Sequence, residues 1–399
     1  MDIIGRLHQH NAEREPERLA LKYQAMRANP FRFLRGTCAL FYDRLPEAGV
    51  LRSAPPVWIC GDLHLENFGS YKGDNRLVYF DLNDFDEGAL APASWELVRM
   101  LASIHVAIAA LAAKPAQARA LGAAFLDAYS QALTNGKAFW IERETAEGLV
   151  GALLDHVCAR HRTNLLDSRT ELHKGRRRLR VDGSKALPAS AAQREQVTAF
   201  MADHARSQNR PGFFDVLDVA RRVAGTGSLG IDRYAILVEG KGSPDGNYLL
   251  DLKAALPSAL APHLTQVQPA WATEAERAVT VQHRMQAVSM AFLQPVTMDG
   301  KAYVLRALLP SEDRIAIDRP SLDSGALADT LGTMGRLLAW AQLRSAGRQG
   351  SATADDLVAW GGKRKWKLRL QEVAEVCAEQ CQEDAATFAA AYDDGVFAL

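Results

Sequence analysis

The chain has 399 residues, 48% hydrophobic and 24% charged, with 47 Lys and Arg against 47 Asp and Glu. That balance suits a globular protein of two or three core-bearing units and excludes a disordered or collagen-like chain. It also removes any global pull toward nucleic acid or an anionic membrane, so a charged partner has to be met locally.

The opening MDIIGRLHQHNAEREPERLALKY lacks the apolar core of a signal peptide, and no run reaches the roughly 18 apolar residues of a membrane span. A cytoplasmic protein with no membrane and no nucleic-acid partner is therefore expected. Five scattered cysteines argue against a disulfide framework. A helical pattern from Pro16 to about Arg27 breaks at Asn29-Pro30 and resumes in NPFRFLRG, where Phe31, Phe33 and Arg35 suit packing better than lining a pocket. TCALFYDRL reads as a helix and PPVWIC as a short buried strand. CGDLHLENFG follows at once. After a turn at KGDN, LVYF (Leu77 to Phe80) reads as a second strand, so FDLNDFDE also stands at a strand exit.

Ser94 is expected to cap a helix carrying Leu97, Leu101, Ile104, Ile108 and Leu111, with His105 packed beside that stripe. A further helix should start at Pro115 and stop at Asn135-Gly136. Residues 160–180 hold eight Lys or Arg against two acids, either a solvated hairpin or a local anion-binding arm. From Phe213 the pattern turns to strands: DVARRV, DRYAILVEG and NYLLDLKAAL, joined by AGTGSLGI and KGSPDG, as antiparallel hairpins. A helix over roughly Thr273 to Met290 and a hairpin around Met298-Asp299-Gly300 come next. The remainder is helical, with Leu327, Leu331, Met334 and Leu338 on one face and Cys377 and Cys381 as buried helix-face thiols.

The two acidic stretches are spaced like a phosphoryl-transfer site. In kinase catalytic loops an Asp takes the acceptor hydroxyl proton and an Asn five positions on binds magnesium; Asp62 and Asn67 are five apart. His64, in the same catalytic loop, is expected to brace it rather than react. Asp81 lies 14 residues beyond Asn67, with Asp84 and Asp86 as rival metal ligands in the same stretch. GTGSLG offers Gly225, Gly227, Ser228 and Gly230 as a loop between two strands, where bare backbone N–H groups approach phosphate oxygens. Lys253, on the third strand of that run, suits the phosphates, with Glu274 or Glu276 on the next helix as its acidic partner.

GDLHLENFG and FDLNDFDE resemble the G-D-x-H-x-x-N and D-F-D segments of aminoglycoside phosphotransferases and choline-type kinases. NPFRFLRG, CGDLHLENFG, FDLNDFDE and VAGTGSLGIDRYAILVEG, in that order, are similar to the bacterial family called domain of unknown function 2252, across most of the chain. The first resemblance implies ATP and Mg2+ (or Mn2+) as cofactors and an unknown hydroxyl acceptor as partner. It also implies an α+β, protein-kinase-like fold of two lobes, with a small antiparallel β lobe and a mainly helical large lobe. The glycine loop here follows the catalytic loop by about 160 residues instead of preceding it. The expectation is thus a circular permutation: 1–212 begins the large lobe, 213–310 forms the small lobe, and 311–399 completes the large one. Alternatives are a metal-dependent phosphoesterase, since GDLH also echoes metallophosphatases, and a pseudokinase or nucleotidyltransferase using the same nucleotide site.

Overall fold

Four short strands frame the two acidic motifs in the computed structural model, which describes residues 1–310 and 313–398. They are β1 (Pro56–Ile59), β2 (Phe68–Lys72), β3 (Val78–Leu82) and β4 (Ala89–Pro92). β1 pairs antiparallel with β4 and β2 with β3. Residues 60–67 and 83–88 are therefore neighbouring loops, joined where the Asn83 N–H donates to the Asn67 carbonyl at 2.9 Å.

The helix Ala93–Ala110 follows β4 and packs against Pro115–Asn135 and Lys365–Asp393. Among the described residues it is the one helix long and apolar enough to cross a membrane, and 83% of it is buried inside the protein, as befits a central core helix. Its apolar stripe is as expected, but Ser94 is not its cap. The helix starts at Ala93 behind Pro92, and the Ser94 hydroxyl donates to the Leu51 carbonyl at 2.9 Å. Residues from both ends of the chain, among them Tyr23, Phe33, Leu338 and Phe388, share this one large core. Cys377 and Cys381 are buried on the last helix, and His105 is packed at 9% exposure.

The second structural unit is a six-stranded sheet. The basic stretch first forms a helix, Arg162–Arg169, and a separate hairpin of β5 (Thr170–His173) and β6 (Arg176–Leu179). Then come β7 (Ala186–Pro188), β8 (Val216–Arg222), β9 (Arg233–Val238), β10 (Tyr248–Ala254), β11 (Gln294–Met298) and β12 (Lys301–Ala307). Their order is β11-β12-β10-β9-β8-β7, with every neighbouring pair antiparallel. The sheet thus begins before the expected boundary at 213. The helix Ala191–Arg206 covers one face, where Val197 and Met201 meet Leu250 and Leu252. Side chains alternate along a strand, so Asp251 and Lys253 point to the opposite face, toward the helical body. The β11–β12 hairpin turns at Asp299 (φ 48°) and Gly300 (φ 74°), the left-handed pair that a two-residue hairpin loop demands. The helix before it starts at Glu274, capped by Thr273, and ends at Met285, five residues short of the expected end.

Candidate functional site

The first acidic loop leaves β1 through Gly61, whose φ of 84° and whose contact with the Glu87 backbone leave no room for a Cβ. Glu96 anchors the turn from the core helix: its Oε1 accepts the Cys60 N–H at 2.6 Å and the Gly61 N–H at 3.3 Å. Burial pushes the Glu96 carboxyl up to about 7 against those hydrogen bonds. Asp62 comes next and is held on one oxygen. The Arg99 guanidinium reaches Oδ1 with Nε at 2.7 Å and Nη2 at 2.5 Å. Burial raises the Asp62 carboxyl above its ordinary range, with Arg99 pulling the other way. The buried Cys38 thiol beside it also hydrogen-bonds the carboxylate, and both residues line the cleft. His64 does not join that carboxylate. The His64 Nδ1 accepts the Glu66 N–H at 3.1 Å, heading the tight turn Leu65–Asn67, and burial keeps the imidazole neutral.

Asn67 ties the two acidic loops together. Its Nδ2 donates to the carbonyls of Asp62 and Asp84, both at 3.3 Å, and its Oδ1 accepts the Asp84 N–H at 2.9 Å. Asp84 opens on the cleft without a direct ion pair. Solvent reaches it in the open cleft; desolvation by the protein around it would raise its carboxyl, but Lys253, Arg306 and Arg233 outweigh that and hold it below the ordinary range. Asp86, on the cleft wall, is taken by Lys253, whose side chain is buried and does not itself line the cleft.

Asp81 is not part of this group. β3 runs two residues further than LVYF, so Asp81 lies inside the strand instead of at its exit. Its Oδ1 accepts the Leu82 N–H at 2.9 Å, and its Oδ2 accepts the Ala287 N–H at 3.2 Å and lies 3.5 Å from Arg344. At 1% exposure it is a structural carboxylate, tying β3 to the segment just after the helix Glu274–Met285 and to Arg344 at the end of the helix Ala326–Arg344.

The donor set fits magnesium of the kind that binds through one or two carboxylates and completes its shell with phosphate and water. The Asp84 carboxylate accepts the Asp86 N–H at 3.5 Å and makes no direct ion pair. Beside it, the buried Asn83 Oδ1 lines the same cleft with no hydrogen-bond partner, and Asn67 is adjacent. Among the described residues no three His, Cys, Asp or Glu cluster closely enough to cage a metal by themselves.

From the sheet, the loop between β8 and β9 brings Gly225, Gly227 and Ser228 to the cleft wall. Gly230 lies outside it: at φ 87° it lets the chain pass Arg14, whose side chain a Cβ would strike. Arg14 also pins the loop, donating from Nη1 to the carbonyls of Gly227 at 2.7 Å and Leu229 at 2.6 Å. Neither expected partner of Lys253 reaches it. Glu274 bonds Arg277, and Glu276 accepts the Ala272 N–H. The cleft encloses about 140 Å³, within about 1350 Å³ of empty space when its open mouth is included.

Several functional groups escaped the sequence reading. Arg99, Arg233, Asp251 and Arg306 are charged residues in apolar stretches, whereas Arg222 ends VLDVARR, a strand that already carries two other charges. A charge set in an apolar run, the feature that marks Lys253, stands in LVRML, DRYAIL, LLDLKA and VLRALL as well.

A family model described as an uncharacterized protein conserved in bacteria (DUF2252) matches residues 14–391. The chain belongs to the DUF2252 family. Both acidic loops, the glycine loop and Lys253 lie inside the matched region. No curated protein and no solved structure matches the chain.

Proposed function

We propose that this DUF2252 protein is an ATP- and Mg2+-dependent phosphotransferase acting on a hydroxyl acceptor. One observation carries the reading: the Lys253 ammonium reaches Asp86, two residues from Asp84, across 167 residues of sequence. The sequence separation is as large as a permuted kinase requires, and the contact joins the phosphate-holding lysine to the metal-binding loop. Its surroundings agree. A small sheet carries the glycine loop between β8 and β9 and the lysine on β10, and it faces a helical body that carries Asp62, Asn67 and Asp84. We read these as the two lobes of a kinase-like fold in circularly permuted order.

The triphosphate would lie under Gly225, Gly227 and Ser228, with Lys253 on its α and β phosphates. Magnesium held at Asp84, beside Asn83 and Asn67, would neutralise charge on the transferring group. The acceptor hydroxyl gives its proton to the Asp62 carboxylate. Its oxygen bonds to the γ phosphorus, the bridging bond to the β phosphate breaks, and ADP leaves. Arg99 keeps Asp62 oriented, and burial makes the carboxylate a better base. The enclosed 140 Å³ is below the usual size of a nucleotide pocket, so the lobes must part to admit ATP. A phosphoesterase has less support, because a two-metal site needs clustered donors that the described residues do not supply.

Calorimetric titration with ATP, with and without Mg2+, tests the nucleotide site: negligible heat in both sinks the proposal. Given binding, label from γ-phosphate on an acceptor means phosphorylation, and label from α-phosphate means nucleotidyl transfer.

A further inference from the structure

At the end of β9 and β10 remote from the glycine loop lies a second concave site of about 470 Å³, within the range of small-molecule sites. Its wall carries five cations, Lys72, Arg76, Arg162, Arg210 and Lys241, and a single acid, Asp74. Among the described residues none of the five is ion-paired. In a chain whose charges balance overall, that local excess of four positive charges, most of it on exposed side chains, makes a field that attracts an anion.

The floor is aromatic. The ring of Phe213 lies 4.8 Å from Tyr248 and 5.7 Å from Phe292, and Phe292 lies 5.9 Å from Tyr248. Arg162 is locked over Tyr248, 4.1 Å above the ring, with Nη2 donating to the tyrosine oxygen at 2.7 Å. A guanidinium so fixed loses little further entropy on meeting a phosphate. Phe292 holds φ at 63°, left-handed backbone that a bulky side chain adopts only when its surroundings demand it. The opposite wall is the β2–β3 turn, fixed there by the Lys72 carbonyl accepting the Ala291 N–H at 3.1 Å and by the Asp74 N–H donating to the Ser289 carbonyl at 2.9 Å. Both walls are thus built, not loose.

We infer that this is a second ligand site, separate from the cleft of Asp62 and Lys253, and that it takes a phosphorylated small molecule carrying a planar ring, of mononucleotide size. The cations take the phosphate and the aromatic floor takes the ring.

The probes are AMP and inorganic pyrophosphate, titrated without Mg2+ into the full chain by calorimetry. Titration is repeated in Lys253→Met, which removes the central cleft's phosphate contact, and in the exposed pair Arg210→Glu with Lys241→Glu. AMP should bind the full chain and Lys253→Met alike and protect residues 208–214 and 291–292 from hydrogen exchange. It should bind the charge-reversed variant about tenfold or more weakly, the loss of one charge-assisted hydrogen bond. Lys72→Gln with Arg76→Gln should give the same weakening from the opposite wall. The inference is overturned by no AMP binding at millimolar concentration, by undiminished binding in both variant pairs, or by pyrophosphate binding as tightly as AMP. Binding of a single-stranded oligonucleotide without AMP binding overturns the small-molecule assignment.

Discussion

Lys253 and Asp86 form a lopsided pair, with side chains 3% and 37% exposed, and this fixes the order of two variants. Lys253→Met removes a buried cation and leaves a carboxylate that water already reaches, so it should cost about 1 kcal/mol, as for a part-exposed ion pair. Asp86→Asn instead strands the ammonium inside the sheet, beside Arg233 on the neighbouring strand. Breaking a buried pair that way costs about 3 to 5 kcal/mol, and Asp84 nearby sets the lower end, about 3. The double variant loses the stranded charge and should return to within about 1 kcal/mol of the parent. Urea unfolding near neutral pH, with unchanged slopes, reads all three. In parallel, Lys253→Met should weaken ATP roughly 10- to 100-fold, the worth of a hydrogen bond to a charged group. Equal costs for the two single variants would refute the burial argument, and unchanged ATP affinity in Lys253→Met would refute the phosphate role.

Asp62→Asn should keep ATP affinity and lose single-turnover γ-phosphate transfer by roughly 10²- to 10⁴-fold. Because the base must be ionised and burial raises its carboxyl, the parent's rate should fall as pH drops through a value above the ordinary carboxylate range. Glu96 is held at about 7 in the fold against 4.5 unfolded, so the native state binds that proton more tightly. Its stabilising contribution is full below about 4.5 and is lost as pH rises through about 7, by roughly 3 kcal/mol. Denaturation midpoints across that window should show the slope in the parent and a flatter line in Glu96→Gln; matching slopes would discard Glu96 as the titrating group. Arg14→Ala should release the glycine loop, speeding hydrogen exchange across residues 225–230, and unchanged exchange would mean the loop is held by other contacts. Saturating ATP with Mg2+ should raise the unfolding temperature, by the equivalent of about 2.7 kcal/mol at a hundredfold excess over Kd, and no shift would count against the nucleotide site.

What the sequence could disclose was set by how local each signal is. The strands flanking GTGSLG, the Asp299-Gly300 turn and the helix from Pro115 to Asn135 rest on short-range alternation, turn chemistry and caps, and all three stand as read. Asp81 failed on register: a strand two residues longer turns a loop carboxylate into a buried brace. Ser94 failed because Pro92 already starts the helix and the hydroxyl finds the Leu51 carbonyl, a partner 43 residues away. The partner of Lys253 lies not on the next helix but on a loop 167 residues earlier in the chain. Glu96 and Arg99 share one cause with it. Each acts on a residue more than 30 positions distant, and no periodicity encodes such a contact.

A chain without net charge can still be strongly polarised at one place, and the sheet face above the cleft is that place. Asp251 alone answers three guanidinium groups: Arg222 at 2.8 Å, Arg233 at 2.7 Å and Arg306 at 3.3 Å. The Arg222 Nη1 is near that carboxylate but misaligned, so it has no hydrogen bond although buried. Burial draws Arg222 down to about 9, with Asp251 opposing and Arg233 and Arg306 adding to the fall, so it stays protonated at neutral pH. About two positive charges are left over on that face. Across the cleft the Asp84 carboxylate accepts the Asp86 N–H at 3.5 Å but makes no direct ion pair, and the Asn83 oxygen beside it lacks a donor. A free anion would satisfy the first side and repel the second, and a free cation would do the reverse. A triphosphate carrying its own divalent metal satisfies both, whatever the order in which the chain delivers the two sides.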